Sequence, residues 1–93
     1  MIVYCCQITV LIFDSYSLKD KRSVIKSIIS KTHQKYNISI SEVGSNELHN
    51  KGEIGFCCIS SSSFVCEQII QSVLNFIESN YNLDIIEANR YQC

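Results

Sequence analysis

The first thirteen residues alternate between two sets of side chains, and this alternation predicts a β-strand over residues 2–13. One set comprises Cys6, Ile8, Val10 and Ile12, and the other comprises Cys5, Gln7, Thr9 and Leu11. Successive side chains of a strand point to opposite faces of a sheet, so each set occupies one face. The first set is wholly apolar and is therefore expected to face the protein core.

Residues 17–36 repeat their apolar side chains at helical spacing. At about 100° per residue, one arc of the predicted helix holds Leu18, Ile25, Ile28, Ile29, Thr32 and Tyr36. Ser17 suits the N-cap position, and Asp20, three residues later, completes a capping box. Asn37 is expected to end the helix, because asparagine tolerates the left-handed conformation that often terminates helices.

Two further strands are predicted in the middle of the chain. Residues 38–43 alternate between isoleucine and serine before reaching Val43, and residues 53–60 alternate with apolar side chains on both faces. The stretch between them, residues 44–51, is polar, which indicates a loop or a one-turn helix.

A second helix and a last strand complete the pattern. The serines at 60–63 can cap a second amphipathic helix that ends at Asn80, and residues 83–91 resume a strand pattern. The order β-α-β-β-α-β predicts one ferredoxin-like domain over residues 1–93, with two helices on one face of a four-stranded antiparallel sheet.

Such a sheet has one face that no helix covers. That open face is expected to carry Cys5, Leu11, Val43, Gly55, Cys57 and Ile59. Because a monomer rarely leaves so apolar a face in water, a homodimer is expected, with Leu11, Cys57 and Ile59 in its interface.

The positive charge is local. The chain carries a formal net charge of −1, yet residues 17–36 hold six of the eight basic residues. On the helical wheel Lys19, Arg22, Lys26 and His33 lie along one flank, and Lys31 and Lys35 lie along the other. Lys21 falls inside the apolar arc, where its stem must cover apolar atoms.

The basic flank predicts contact with phosphates, and the nucleic-acid-binding residues are expected to be Lys19, Lys21, Arg22 and Lys26. The alternative interpretation is that these charges only keep the helix surface soluble. A second mode, in which bases stack on aromatic side chains of the central strands, is disfavoured because Tyr4 and Phe56 share the parity assigned to the core.

The six cysteines do not follow a metal or redox pattern. They occur as two adjacent pairs and two single residues: Cys5-Cys6, Cys57-Cys58, Cys66 and Cys93. No Cys-x-x-Cys is present, so neither a metal site nor a cofactor is expected. Strand pairing would bring Cys5 near Cys57 and Cys6 near Cys58. The first thirteen residues are too short to cross a bilayer, and a reduced cytoplasmic protein without membrane contact is expected.

Catalytic chemistry has little support in the sequence. The serines at 60–63 have no neighbouring histidine, and His33 and His49 have no evident carboxylate beside them. The chain also lacks a glycine loop that could hold phosphates. A non-enzymatic protein without a small-molecule substrate is therefore predicted.

Three segments, residues 17–23, 36–43 and 73–78, resemble the YlxP-like family, a group of small bacterial proteins of unassigned function. The resemblance implies a ferredoxin-like fold and a cytoplasmic location. It also implies a gene setting often beside translation initiation factor 2 and ribosome-binding factor A. The basic helix and this setting together predict a protein that binds RNA or the ribosome. The alternative is a homo-oligomeric protein-protein interaction module that uses the apolar open face.

Overall fold

A computed structural model describes residues 1–44 and 47–93, and these form the predicted β-α-β-β-α-β order. The elements are β1 (Ile2–Ile12), α1 (Leu18–Lys35), β2 (Ser39–Glu42), β3 (Lys51–Ser60), α2 (Ser63–Asn80) and β4 (Leu83–Gln92). The strands form one antiparallel sheet in the order β2-β3-β1-β4. The prediction of a ferredoxin-like fold with two helices on a four-stranded antiparallel sheet is confirmed.

The core lies between the helices and one face of the two central strands. The strand side chains buried there are Cys6, Ile8, Val10, Ile12, Ile54, Phe56 and Cys58. The helices contribute Ile25 and Ile28 from α1, and Cys66, Ile70, Val73, Leu74 and Ile77 from α2. Each fully buried aliphatic side chain stabilises the fold by roughly 1.5–3 kcal/mol. Because Cys6, Ile8, Val10 and Ile12 are all buried, the predicted core face of the first strand is confirmed.

Local hydrogen bonds fix the start of α1. The Ser17 hydroxyl accepts from the Asp20 backbone N–H at 3.0 Å, as predicted for the N-cap. The Asp20 carboxylate accepts from the Tyr16 backbone N–H at 3.1 Å, one residue before the partner that a capping box would use. Together these bonds satisfy two backbone donors at the helix entry.

The end of α1 differs from the prediction that Asn37 terminates it in a left-handed conformation. The helix ends at Lys35, and Tyr36 is extended with φ −123° and ψ 145°. Among the described non-glycine residues only Asp14 has a positive φ. The Tyr36 ring packs edge-on against Phe76 of α2, with ring centroids 5.9 Å apart. The helix therefore ends in an extended residue that contacts α2, and not in a left-handed asparagine.

The third strand begins two residues earlier than predicted. Lys51 and Gly52 already pair with Leu11 and Val10 of β1. The predicted loop or one-turn helix over 44–51 includes residues 45 and 46, which lie outside the described residues. His49 and Asn50 form a turn immediately before β3.

The pairing of β1 with β4 contains an irregularity. Thr9 lies opposite Glu87, whereas its neighbour Val10 lies opposite Ile85, so one extra residue of β4 is accommodated between them. Such a bulge changes which face the following side chains occupy. Beyond it, Tyr91 lies opposite Cys5 on the open face.

Candidate functional site

The basic flank of α1 is accessible in the structure. Lys19, Arg22 and Lys26 are all exposed. Within residues 1–44 and 47–93, no carboxylate forms an ion pair with any of these three side chains. Their spacing of three and four residues places neighbours about 5–6 Å apart on one side of the helix. The three cations therefore form a continuous row, which we call the basic flank.

A shallow groove runs beside the basic flank, between α1 and β2. It is lined by Arg22, Ile25, Lys26, Ile29 and Glu42. Arg22 and Lys26 stand at its edge with their charges free of Glu42, so a bound anion can approach both.

Lys21 does not belong to the basic flank. The prediction that it contacts nucleic acid is wrong, because its side chain is buried. Its side chain is only 5% exposed, and its Nζ donates to the Lys51 backbone carbonyl at 3.2 Å. A lysine one turn into the helix and inside the apolar arc buries its stem and satisfies its ammonium within the protein. No phosphate can reach it in this position.

The other basic side chains of α1 have different surroundings. His33 is exposed, and its Nδ1 lies 3.0 Å from the Ile38 carbonyl, so the ring is held against the chain that leads into β2. The Lys35 ammonium lies 5.1 Å from the centre of the Phe76 ring, at cation–π distance. Lys31 is exposed on the opposite flank from Arg22.

The predicted oligomer interface is divided by the structure. Ile59 is 61% exposed and lies near Cys57, but Leu11 pairs with Lys51 and Asp84 at the far end of β1. At about 3.3 Å per residue, the six residues from Cys5 to Leu11 separate Cys57 from Leu11 by roughly 20 Å. The three residues therefore do not form one patch.

The apolar part of the open face is confined to one end. We call this region the apolar end and define it by Val3, Cys5, Cys57, Ile59 and Tyr91. The other end carries Glu53 and Glu87 on either side of Thr9, so it is charged.

A groove with a volume of about 250 Å³ lies over Gly55 on the open face. The Val43 side chain packs across Gly55, where an added Cβ would lie 2.9 Å from Val43 Cγ1. Cysteine, serine and apolar residues dominate the lining, and no described histidine or carboxylate contributes to it. This groove offers no general acid or base beyond its thiols and Tyr91. Phe56 is 3% exposed and faces the core, as predicted, so it cannot stack a base on the open face.

Three cysteines lie close together on the open face, namely Cys5, Cys57 and Cys93. Cys5 lies opposite Cys57, as predicted, and the Cys5 Sγ lies 3.2 Å from the Sγ of Cys93. The proximity of Cys93 was not predicted, because the β1–β4 register cannot be deduced from the sequence. With the register known, Cys93 is the diagonal neighbour of Cys5.

Cys6 and Cys58 share the core face, as predicted, but as diagonal neighbours and not as a directly opposed pair. Cys6 pairs with Phe56 and Cys58 with Tyr4, and the Cys58 thiol donates to the Cys66 carbonyl at 3.7 Å. Burial is the main cause that raises the pKa of Cys58 to about 12, and burial also raises the pKa of Cys6. Both thiols are therefore protonated and chemically inert at neutral pH.

In the part of the chain that the structure describes, no three cysteine, histidine, aspartate or glutamate side chains converge with metal-binding geometry. The described helices are too short or too polar to span a bilayer.

Comparison of the sequence with known proteins finds a family and a relative. The family model described as "Protein of unknown function (DUF503)" matches residues 3–90. The Bacillus subtilis (strain 168) protein named "Uncharacterized protein YlxP" is 41% identical over 69 residues, which cover 74% of this chain and 75% of that protein.

Two designed proteins share the fold at low sequence identity. The solution NMR structure of the de novo designed protein LFR1 1, with a ferredoxin fold, superposes with a TM-score of 0.58 at 12% identity, covering 100% of this chain and 84% of that one. The de novo designed protein Foldit4 gives a TM-score of 0.55 at 12% identity, with coverage of 98% and 96%. These similarities concern the fold alone.

Proposed function

Because this chain belongs to the DUF503 family, whose description assigns no activity, we propose a function from its own geometry: it is a non-enzymatic protein that binds RNA or the ribosome through α1. The observation that carries the proposal is the basic flank, in which Lys19, Arg22 and Lys26 are exposed and free of ion pairs within the described residues.

Charge asymmetry supports this function. Eight of the nine acidic residues lie outside residues 17–36, so the field of the molecule is positive mainly along α1. A local positive surface on a nearly neutral protein orients it toward a polyanion without strong attraction elsewhere. RNA approached in this way meets α1 first.

The contacts are of a kind that follows the RNA backbone. Lysine and arginine side chains on a helix surface donate to phosphate oxygens, and such contacts set position without reading sequence. The aromatic side chains that the central strands would use for base stacking are turned to the core: Phe56 is buried, and Tyr4 packs against the core. The protein therefore binds by shape and charge, and its partner is structured RNA such as the ribosome, in the cytoplasm.

The first test compares two charge reversals on the same helix. Arg22→Glu changes the basic flank, and Lys31→Glu makes the same charge change on the opposite flank. Arg22→Glu is expected to weaken co-sedimentation with ribosomes several-fold, whereas Lys31→Glu is expected to have a much smaller effect. The combined replacement of Lys19, Arg22 and Lys26 by Glu should abolish co-sedimentation.

Salt dependence provides the second arm of this test. Three phosphate contacts on double-helical, structured RNA predict a slope of about −2.7 for log K against log salt concentration. Loss of binding that is equal for Arg22→Glu and Lys31→Glu, or binding that is unchanged in the combined variant, contradicts the proposal.

A second function is supported by a different observation, the exposure of Ile59 (61%) and Tyr91 (52%) at the apolar end. In this alternative the protein is a homo-oligomeric module in which a second copy covers the apolar end. The basic flank lies on the helix side of the sheet and stays accessible in such an assembly. The two functions are therefore compatible, and they are separated by the self-association experiment described below.

A further inference from the structure

The open face carries three thiols in a row, and they differ from the three buried thiols in access. Cys93 is exposed, Cys5 and Cys57 are partly exposed, and Cys6, Cys58 and Cys66 are buried. Thiol chemistry with a solute is therefore restricted to the open face. Cys93 is the most accessible of the six.

The positions of Cys5 and Cys93 are fixed by backbone as well as by the thiol contact. Their Sγ atoms lie 3.2 Å apart, and the Cys93 backbone N–H donates to the Val3 carbonyl at 2.9 Å. Cys93 is therefore held beside β1. It follows Tyr91, the residue directly opposite Cys5, by two positions. A disulfide requires the sulfurs to approach to about 2.05 Å, which is a movement of about 1 Å from the observed contact.

From this geometry we propose that Cys5 and Cys93 form a redox-active thiol pair, which low-molecular-weight disulfides convert to an intramolecular disulfide joining β1 to the residue after β4. This modification site is independent of the proposed RNA contact, because it lies on the opposite side of the sheet from α1.

The reaction proceeds in two exchange steps. The Cys93 thiolate attacks one sulfur of the external disulfide, whose S–S bond breaks as the Cys93 mixed disulfide forms. The released thiolate takes a proton from solvent. Cys5 then loses its proton to solvent and attacks the Cys93 sulfur, releasing the second external thiol. The two protein thiols are oxidised to a disulfide while one external disulfide is reduced to two thiols.

The environment of Cys5 fixes this order. The pKa of Cys5 is raised to about 11. The largest cause is the hydrogen bond between the Cys5 and Cys93 thiols, and burial raises it further. Cys5 is therefore protonated at neutral pH, and Cys93 is the first nucleophile. Once Cys93 is in a mixed disulfide, the shared S–H is lost, the pKa of Cys5 falls, and Cys5 becomes able to complete the reaction.

Cys57 is the matched control, because it lies beside Cys5 on the other neighbouring strand. The Cys5 Sγ lies 3.2 Å from the Sγ of Cys93, and Cys93 raises the pKa of Cys5 more than Cys57 does. Cys57 is therefore expected to remain free.

The experiment treats the folded protein and the variants Cys5→Ser, Cys57→Ser and Cys93→Ser with oxidised glutathione. Free thiols are then blocked with a maleimide, and intact mass and peptide mapping follow. The unmodified sequence and Cys57→Ser should each lose two free thiols, carry no glutathione and yield a linked Cys5–Cys93 peptide. Cys5→Ser should retain glutathione on Cys93, because the thiol that would displace it is missing. Dithiothreitol should restore every thiol.

Three results overturn the proposal. They are a link that maps to Cys57, a stable glutathione adduct on Cys93 when Cys5 is present, and six free thiols after treatment. Circular dichroism of each variant before oxidation checks that the serine replacements fold. Cys57→Ser controls for the loss of a thiol from the open face, and the Cys5–Cys93 link should still form in it.

Discussion

At the scale of single residues, Lys21 is a buried cation with a structural role, on a helix whose basic flank is exposed. Its side chain is 5% exposed, and its ammonium donates to the Lys51 carbonyl at the start of β3. Burying a lysine stem is favourable, but the ammonium must keep its hydrogen bonds. Lys21 therefore ties α1 to the sheet, and the basic flank consists of its neighbours.

This role predicts that two alanine replacements on α1 change the stability of the protein by different amounts. Lys21→Ala removes the buried stem and leaves the Lys51 carbonyl without this donor, so the free energy of unfolding should fall by about 1–3 kcal/mol. Lys26→Ala, on the exposed flank, should change it by no more than about 0.5 kcal/mol. Urea unfolding measures both.

Ribosome co-sedimentation, expressed per folded molecule, should show the reverse pattern. Lys26→Ala should weaken binding and Lys21→Ala should leave it unchanged. Equal stability of the two variants would show that the buried position of Lys21 is wrong.

At the scale of elements, the seating of α1 depends on a small residue in β3. Gly52 is buried under the helix, and a Cβ added there would lie 2.7 Å from Ile25 Cδ1 and 3.7 Å from Val10 Cγ2. No side chain fits at this distance without displacing a core residue. The absence of a side chain at Gly52 therefore allows the close approach of α1 to the sheet.

Gly52→Ala is expected to lower the free energy of unfolding by about 1–3 kcal/mol, because the methyl group overpacks a filled core. Gly55→Ala is the matched control in the same strand. Its Cβ would lie 2.9 Å from Val43 Cγ1, but Val43 is 52% exposed and can turn into solvent. Its cost should be below about 1 kcal/mol. Urea denaturation midpoints compare the two, and a larger cost for Gly55→Ala would refute this account of how α1 is seated.

At the scale of the whole molecule, the basic flank and the apolar end lie on opposite sides of the sheet. The basic flank is on the helix side of the sheet, and the apolar end is on the open face. A second copy that covers the apolar end would leave both basic flanks facing outward. Self-association would then present two copies of the basic flank without altering either.

The two aspartate variants Ile59→Asp and Leu11→Asp test self-association. Ile59→Asp places a charge in the apolar end and should shift the protein to the monomer in sedimentation velocity experiments at micromolar concentration. Leu11→Asp lies roughly 20 Å away beside Lys51, so it should leave the association unchanged.

The outcomes of this test separate the two proposed functions. Loss of association with ribosome binding retained favours the RNA-binding function. Loss of every interaction in Ile59→Asp favours the oligomeric module. A monomer for the unmodified sequence removes the second function altogether.

The sequence determined the features that depend on local chemistry. The twofold alternation of residues 2–13 fixed the core face of β1, and helical spacing after Ser17 fixed α1 and its exposed basic flank. The same patterns give the element order, from which the ferredoxin-like fold follows. These properties repeat every two to four residues, so a single chain segment contains the information.

Tertiary structure decided the features that depend on how distant segments meet. The bulge in the β1–β4 pairing sets the register that brings Cys93 to Cys5, and no local pattern encodes it. Tyr36, at the end of α1, packs against Phe76 of α2, a contact between residues far apart in the chain. Lys21 turns inward because the start of β3 supplies an acceptor. Each of these outcomes is set by packing between residues far apart in the chain, and the energy of such contacts exists only once the whole fold has formed.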